Sequence, residues 1–227
     1  MSTLPQRLLA EFLGSAMLLA CVVGSGIMGV ALSDGNDGIA LLANAAATAC
    51  ILYVLITMFG PISGAHFNPA VSLVLRLRGE IATPAMLAYV TAQIVGAIVG
   101  VLLAHAMFAL ELIQPGTHAR TGGAQWLSEG VATFGLVLTI LLGGRHKPSA
   151  VPALVASYIF AAYWFTASTS FANPAVTLAR SLTTSFAGIR QMDVAGFVAA
   201  QLAGALLATV VVRLWPPPSA NESLPHQ

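Results

Sequence analysis

One short phrase occurs twice in this 227-residue chain, as Asn68-Pro69-Ala70-Val71-Ser72-Leu73 and as Asn173-Pro174-Ala175-Val176-Thr177-Leu178, in corresponding places of two hydrophobic halves. Each copy breaks an apolar stretch with a proline directly after an asparagine. The fixed φ and missing N–H of proline suit the first position of a helix and not its interior. Each asparagine therefore reads as the N-cap of a new helix. If both new helices begin inside a membrane, their positive ends and the two asparagine side chains converge on one spot.

Composition places them there. Charged residues make up 7% of the chain and apolar residues 57%, with a mean hydropathy of +0.85, which is the signature of a membrane protein. A spanning helix needs about 20 apolar residues. Six stretches qualify, roughly 7–32, 39–60, 83–110, 125–144, 150–167 and 192–215. The first starts at a single Arg7, carries Glu11 and lacks a small-residue cleavage pattern near residue 25, so it reads as a retained helix and not a signal peptide. Residues 216–227, with Pro216, Pro217 and Pro218 followed by polar residues, read as a disordered cytoplasmic tail.

The basic residues set an expected orientation. With a cytoplasmic N-terminus, Arg7, Arg76, Arg78, Arg145, Lys147 and Arg213 fall inside, and Arg120, Arg180 and Arg190 fall outside. Both termini then face the cytoplasm. The net charge of +1 comes with no basic stripe, so nothing points to a nucleic-acid partner. Cys21 and Cys50 lie within spans and read as small buried packing residues.

The two halves align beyond the repeated phrase. The segment 88–97, AYVTAQIVGA, resembles 196–205, GFVAAQLAGA, and Glu11 near the start of one half has its counterpart in Glu129. Each half holds three spans and one interrupted segment. Three is odd, so the second half enters the membrane upside down relative to the first. The expected fold is an all-α membrane protein of six transmembrane helices plus two re-entrant half-helices in an inverted 3+3 repeat. A single channel domain would cover 1–215, with repeat one at about 1–110 and repeat two at about 125–215. Irregular backbone at membrane depth survives only when it is buried in protein or lines a watered cavity. The stretches Gly60 to Phe67 and Ser168 to Ala172, rich in small and turn-forming residues, are expected to line such a lumen.

The chain resembles the aquaporin and aquaglyceroporin family, the major intrinsic proteins. The resemblance runs from Ala10 to Leu214. It is carried by Ala10-Glu11-Phe12-Leu13-Gly14, by Ser63-Gly64-Ala65-His66-Phe67-Asn68-Pro69-Ala70-Val71, by Glu129 and by the second Asn-Pro-Ala. It implies that Asn68 and Asn173 line a pore, that Pro69, Ala70, Pro174 and Ala175 hold the half-helices together, and that Glu11 and Glu129 accept hydrogen bonds from the re-entrant loops. It makes His66 a lumen-facing residue on the cytoplasmic side, and it implies a homotetramer in the plasma or inner membrane. No cofactor, metal or catalytic residue is implied.

The family's narrowest region, its aromatic/arginine filter, is where this chain departs. Counted without gaps from the two asparagines, its four positions fall on Thr48, Ala161, Ser170 and Val176. Water-selective members place a phenylalanine, a histidine and an arginine among them. A hydroxyl, a methyl, a hydroxyl and an isopropyl group imply a wide, uncharged constriction. Arg180, one helical turn beyond the missing arginine, is expected on the extracellular surface. The expected function is a passive channel for small uncharged solutes: water, glycerol-like polyols, urea and neutral metalloid acids such as arsenite. A coupled secondary transporter also uses inverted repeats and broken helices, but the spans offer few ionisable groups beyond His66, Glu11 and Glu129. An intramembrane enzyme would need a base and an orienting partner for Ser63, and the sequence supplies neither.

Overall fold

A computed structural model of the chain describes residues 2–215, so the expected disorder of 216–227 lies outside the described residues. Six long helices run through it: α1 (Leu4–Leu32), α2 (Asp37–Ser63), α4 (Thr83–Met107), α5 (Gly123–His146), α6 (Val151–Phe165) and α8 (Val194–Val212). Two short ones, α3 (Pro69–Leu77) and α7 (Pro174–Arg180), complete the set. Single 3₁₀ turns at Pro148–Ala150 and Gln191–Asp193 lead into α6 and α8. At 1.5 Å per residue, α3 reaches about 14 Å, roughly half of a hydrocarbon core. α3 and α7 are thus half-spans.

Contacts repeat between the halves. α1 packs on α2 and α4 as α5 packs on α6 and α8, and each half-helix lies against the last span of both repeats, α3 and α7 each touching α4 and α8. The inside-out pattern of a membrane protein follows. Leu9, Met58, Leu87, Leu127 and Val210 stand exposed on the outer faces, while Glu11, Gln93, Glu129 and Gln201 are buried. In lipid the apolar exterior costs nothing, and the polar groups must pair inside.

The sequence repeat has a packing reason. A Cβ at Gly96 on α4 would stand 2.3 Å from the Phe12 carbonyl oxygen on α1, and one at Gly204 on α8 would stand 2.2 Å from the Gly130 carbonyl oxygen on α5. Phe12 and Gly130 directly follow Glu11 and Glu129. Only glycine lets these backbones approach closely enough for the glutamates to meet their partners, a small-residue contact of the kind membrane helices favour.

Two expectations are corrected. The break expected from Gly60 begins at Gly64, because α2 runs through Pro61 to Ser63 and ends on Gly64, which is left-handed at φ 89° and donates its N–H to the Gly60 carbonyl. Cys50, expected to be buried, is exposed on the outer face of α2, whereas Cys21 is half-buried and donates from Sγ to the Ala47 carbonyl.

Gly96→Val or Gly204→Val should lower the heat-inactivation midpoint of detergent-purified protein, since overpacking a close helix contact costs about 1–3 kcal/mol. Gly144→Ala, within α5 and with nothing within 4 Å of an added Cβ, should not lower it. Equal midpoints for all three would contradict this account of the close approach.

Candidate functional site: a lumen between two crossed half-helices

Two carboxylates hold the irregular segments. Glu11 Oε1 accepts from Ser63 Oγ at 2.6 Å and from the His66 N–H at 3.0 Å, and its Oε2 accepts from the Phe67 N–H at 2.7 Å and from Gln93 Nε2 at 2.8 Å. Glu129 repeats the pattern, with Phe171 N–H on Oε1 at 2.9 Å and Ala172 N–H and Gln201 Nε2 on Oε2 at 2.9 and 2.6 Å. Both acids are fully buried. Each takes the two N–H groups that stand two and one residues before its asparagine.

Those segments are strained in the same way. Gly64, Ala65 and Phe67 have φ of 89°, 49° and 47°, and Thr169, Ser170 and Ala172, at the same distances before Asn173, have 59°, 51° and 49°. Left-handed geometry at a non-glycine residue costs of order 1–2 kcal/mol, and bonds to the glutamates offset that cost. With the N–H groups turned into protein, the carbonyls of Gly64, Ala65, His66, Ser170 and Phe171 accept no hydrogen bond from the described residues.

The asparagines close the centre. Asn68 Oδ1 accepts from the Ala70 N–H at 2.9 Å, and Asn173 Oδ1 from the Ala175 and Val176 N–H groups at 2.9 and 3.3 Å, so both are N-caps. Their amide nitrogens cross. Asn68 Nδ2 donates to the Ala172 carbonyl and Asn173 Nδ2 to the Phe67 carbonyl, both at 2.8 Å. A primary amide carries two N–H donors, so each asparagine keeps one for the lumen.

A cavity of about 110 Å³ runs past this pair. Its lining mixes apolar side chains, Val22, Leu52, Val155 and Ile159 among them, with polar ones, Thr48, His66, Asn68, Tyr163, Ser170, Asn173 and Arg180. No acid lines it. His66 is held through Nδ1 by Ser72 Oγ at 3.0 Å, and Ser72 Oγ accepts from Gln93 Nε2 at 2.9 Å. Thr177, at the position matching Ser72, instead donates to the Asn173 carbonyl at 2.9 Å.

Of the four positions counted for the constriction, Thr48, Ser170 and Val176 line the cavity. Ser170 Oγ is buried with no partner among the described residues. Ala161 is corrected, since it lies exposed on the outer side of α6 and its place at the lumen is taken by Tyr163, whose hydroxyl is 3.3 Å from Thr48 Oγ1. The lumen face of α6 is made by Val151, Val155, Ile159 and Tyr163, one turn apart, and Ala161 falls between the last two on the opposite side.

Arg180 is corrected as well. It is 2% exposed and lines the cavity instead of standing on the outer surface. It sits one turn after Val176 on the same face of α7, its Nε donates to the Ala187 carbonyl, and its Cζ lies 3.4 Å from the centre of the Phe171 ring. The lumen therefore carries a guanidinium. Arg120 is a residue that sequence reasoning missed. It is buried behind the same ring, its Cζ 5.0 Å from the centre, and it donates to the Gly188, Ser168 and Phe186 carbonyls at 2.9, 3.1 and 3.4 Å. Only the four-residue offset from Val176 hinted at Arg180; nothing local marked Arg120.

The family model described as "Major intrinsic protein" matches residues 1–166. The chain belongs to the major intrinsic protein family. The match stops before Asn173, although the inverted half reproduces the geometry of the first. "Aquaglyceroporin AqpS" of Rhizobium meliloti (strain 1021) is 59% identical over 210 residues, covering 92% of this chain and 90% of that protein. "Aquaporin TIP2-3" of Zea mays is 31% identical over 232 residues, covering 94% and 90%. Among solved structures, the aquaglyceroporin from Plasmodium falciparum superposes with a TM-score of 0.73 at 18% identity, covering 94% of this chain and 96% of that one, a likeness of fold.

In this major intrinsic protein, Glu129→Ala strands two backbone N–H groups, at about 1–3 kcal/mol each. Glu129→Gln keeps one acceptor oxygen and turns an amide N–H toward the other donor. Thermal midpoints in detergent should fall in the order wild type, Gln, Ala, and the same order is expected at Glu11. An alanine variant as stable as wild type would show that the carboxylates do not carry the loops.

Proposed function

We propose that this protein is a passive membrane channel for small uncharged solutes, namely water, glycerol-like polyols, urea and neutral metalloid acids such as arsenite. The observation that carries the reading is the acid-free lumen, lined by apolar side chains and polar groups together, with two asparagine amides crossing between its loops. A polyol presents C–H groups on one side and hydroxyls on the other, and such a lumen pairs with both. The two half-helix N-termini and Arg180 place positive potential along the path, which opposes cations. The relative named an aquaglyceroporin supports the polyol part of the reading.

In this reading Thr48, Tyr163, Ser170, Val176 and Arg180 form the selectivity filter. Asn68 and Asn173 form the central constriction, with Pro69, Ala70, Pro174 and Ala175 as its structural support, and His66 marks the inner lumen. Residues 1–215 act as one channel domain, and four copies associate in the plasma or inner membrane. The surplus of arginine on the face that carries the N-terminus supports a cytoplasmic position for both termini.

The experiment is stopped-flow light scattering of proteoliposomes in glycerol, urea and arsenite. Arg180→Ala, which removes the guanidinium, should raise the glycerol-to-water permeability ratio by on the order of tenfold, the effect of ~1.4 kcal/mol on a barrier. Val176→Arg, which adds a second guanidinium one turn away, should slow glycerol far more than water. An unchanged ratio in Arg180→Ala would remove Arg180 from the constriction. Asn173→Asp should admit monovalent cations, because a carboxylate at the half-helix end cancels its positive potential; no added cation conductance would take Asn173 off the solute path.

A further inference from the structure

The lumen opens, on the face that carries the N-terminus, into a second and larger cavity of about 950 Å³. Gly64 and His66 line both, so the two are continuous at His66. Four guanidinium groups surround this vestibule, those of Arg7, Arg78, Arg145 and Arg213, against one carboxylate, that of Glu80.

The arginines of the opposite face are occupied. Arg120 is spent on three carbonyls, Arg180 on Ala187 and Phe171, and Arg190 pairs with Asp193 at 3.0 Å. The vestibule is different. Arg78 reaches Glu80 at 2.6 Å, Arg7 donates through Nε to the Tyr89 hydroxyl at 2.5 Å, and Arg145 donates through one Nη to the Trp215 carbonyl. No acid neutralises Arg7, Arg145 or Arg213 among the described residues. Planar guanidinium forks suit phosphate oxygens, which they can bind in bidentate fashion. A concave wall on which, among the described residues, positive charge outnumbers negative also concentrates multivalent anions from solution.

We propose that this vestibule is a binding site for phosphate-bearing anions, and that an anion held between Arg145, Arg213 and Arg7 covers the lumen mouth at His66 and slows solute flux. The shared chemistry is a multiply charged phosphate, and its source is either a free anion or an anionic lipid headgroup. The site is separate from the lumen residues that select solutes. The effect on flux rests on the channel reading above, whereas the binding itself does not.

The test begins with calorimetric titration of sodium pyrophosphate into the detergent-purified full chain, with ionic strength held constant by sodium chloride. Saturable binding is expected, and it should weaken by at least about tenfold in the Arg145→Gln/Arg213→Gln double variant, since two charge-assisted hydrogen-bonding groups are lost. Lys147→Gln, which removes a neighbouring cation that does not line the vestibule, should bind as wild type does. Wild-type protein in vesicles of neutral lipid, with pyrophosphate on both sides, should pass glycerol at half the rate or less of the same vesicles without it. A second set, containing phosphatidylglycerol and no pyrophosphate, separates the sources: slowing there identifies a lipid headgroup, and slowing only with pyrophosphate identifies a free anion.

No saturable binding by wild type, or equal binding by the double variant, overturns the site. Binding without slowing in either vesicle set overturns the occlusion of the mouth. Binding in vesicles that pass no glycerol under any condition counts against the channel reading and leaves the site standing.

Discussion

Backbone amides at mid-membrane depth have no water to turn to, and the whole architecture answers that constraint. Two chain segments must be irregular there, because a continuous helix would close the lumen. Glu11 and Glu129 make irregularity tolerable by accepting four loop N–H groups, two each. The glutamates in turn need glycine at 96 and 204, so that α1 and α4, and α5 and α8, lie close enough to bring Gln93 and Gln201 onto the same carboxylates. A charge that would be expensive in lipid is thereby surrounded by donors.

Turning the N–H groups inward also has a functional consequence. It forces the carbonyls the other way, so a row of acceptors lines the lumen on each side of the asparagine pair. The donors at the centre come from side chains, one N–H from each asparagine, because the other is used to tie the two loops together. A passing hydroxyl or water meets acceptors, then donors, then acceptors again. The strain stored in the left-handed residues, the carboxylate anchors and the lumen chemistry are one arrangement seen at three scales.

The inverted symmetry is strict in the scaffold and broken in the lumen. Glu11 and Glu129, Gln93 and Gln201, and Asn68 and Asn173 match closely. His66 faces Phe171 across the pseudo-symmetry, and Ser72 turns to His66 where Thr177 turns to its own backbone. The first half thus contributes a polar imidazole on one side of the asparagines. The second contributes an aromatic ring on which Arg180 is stacked, with Arg120 behind it. The two ends of the lumen therefore differ chemically although the scaffold around them is the same.

The sequence by itself determined the repeat, the six spans, the caps at Asn68 and Asn173 and the pairing of the two acids. Proline after asparagine, hydropathy and spacing are local signals, and physics acts on them locally. Tertiary structure alone decided which side chains line the lumen and that one of them carries charge. Tyr163 took the place counted to Ala161 because Val155, Ile159 and Tyr163, one turn apart, form the face of α6 that meets the lumen, and packing chooses that face. Arg180 entered the lumen because the carbonyl of Ala187 and the ring of Phe171, one from each side in sequence, offer a buried guanidinium what water would otherwise supply. That solvation comes from residues brought together only by folding, so no reading along the chain could place it.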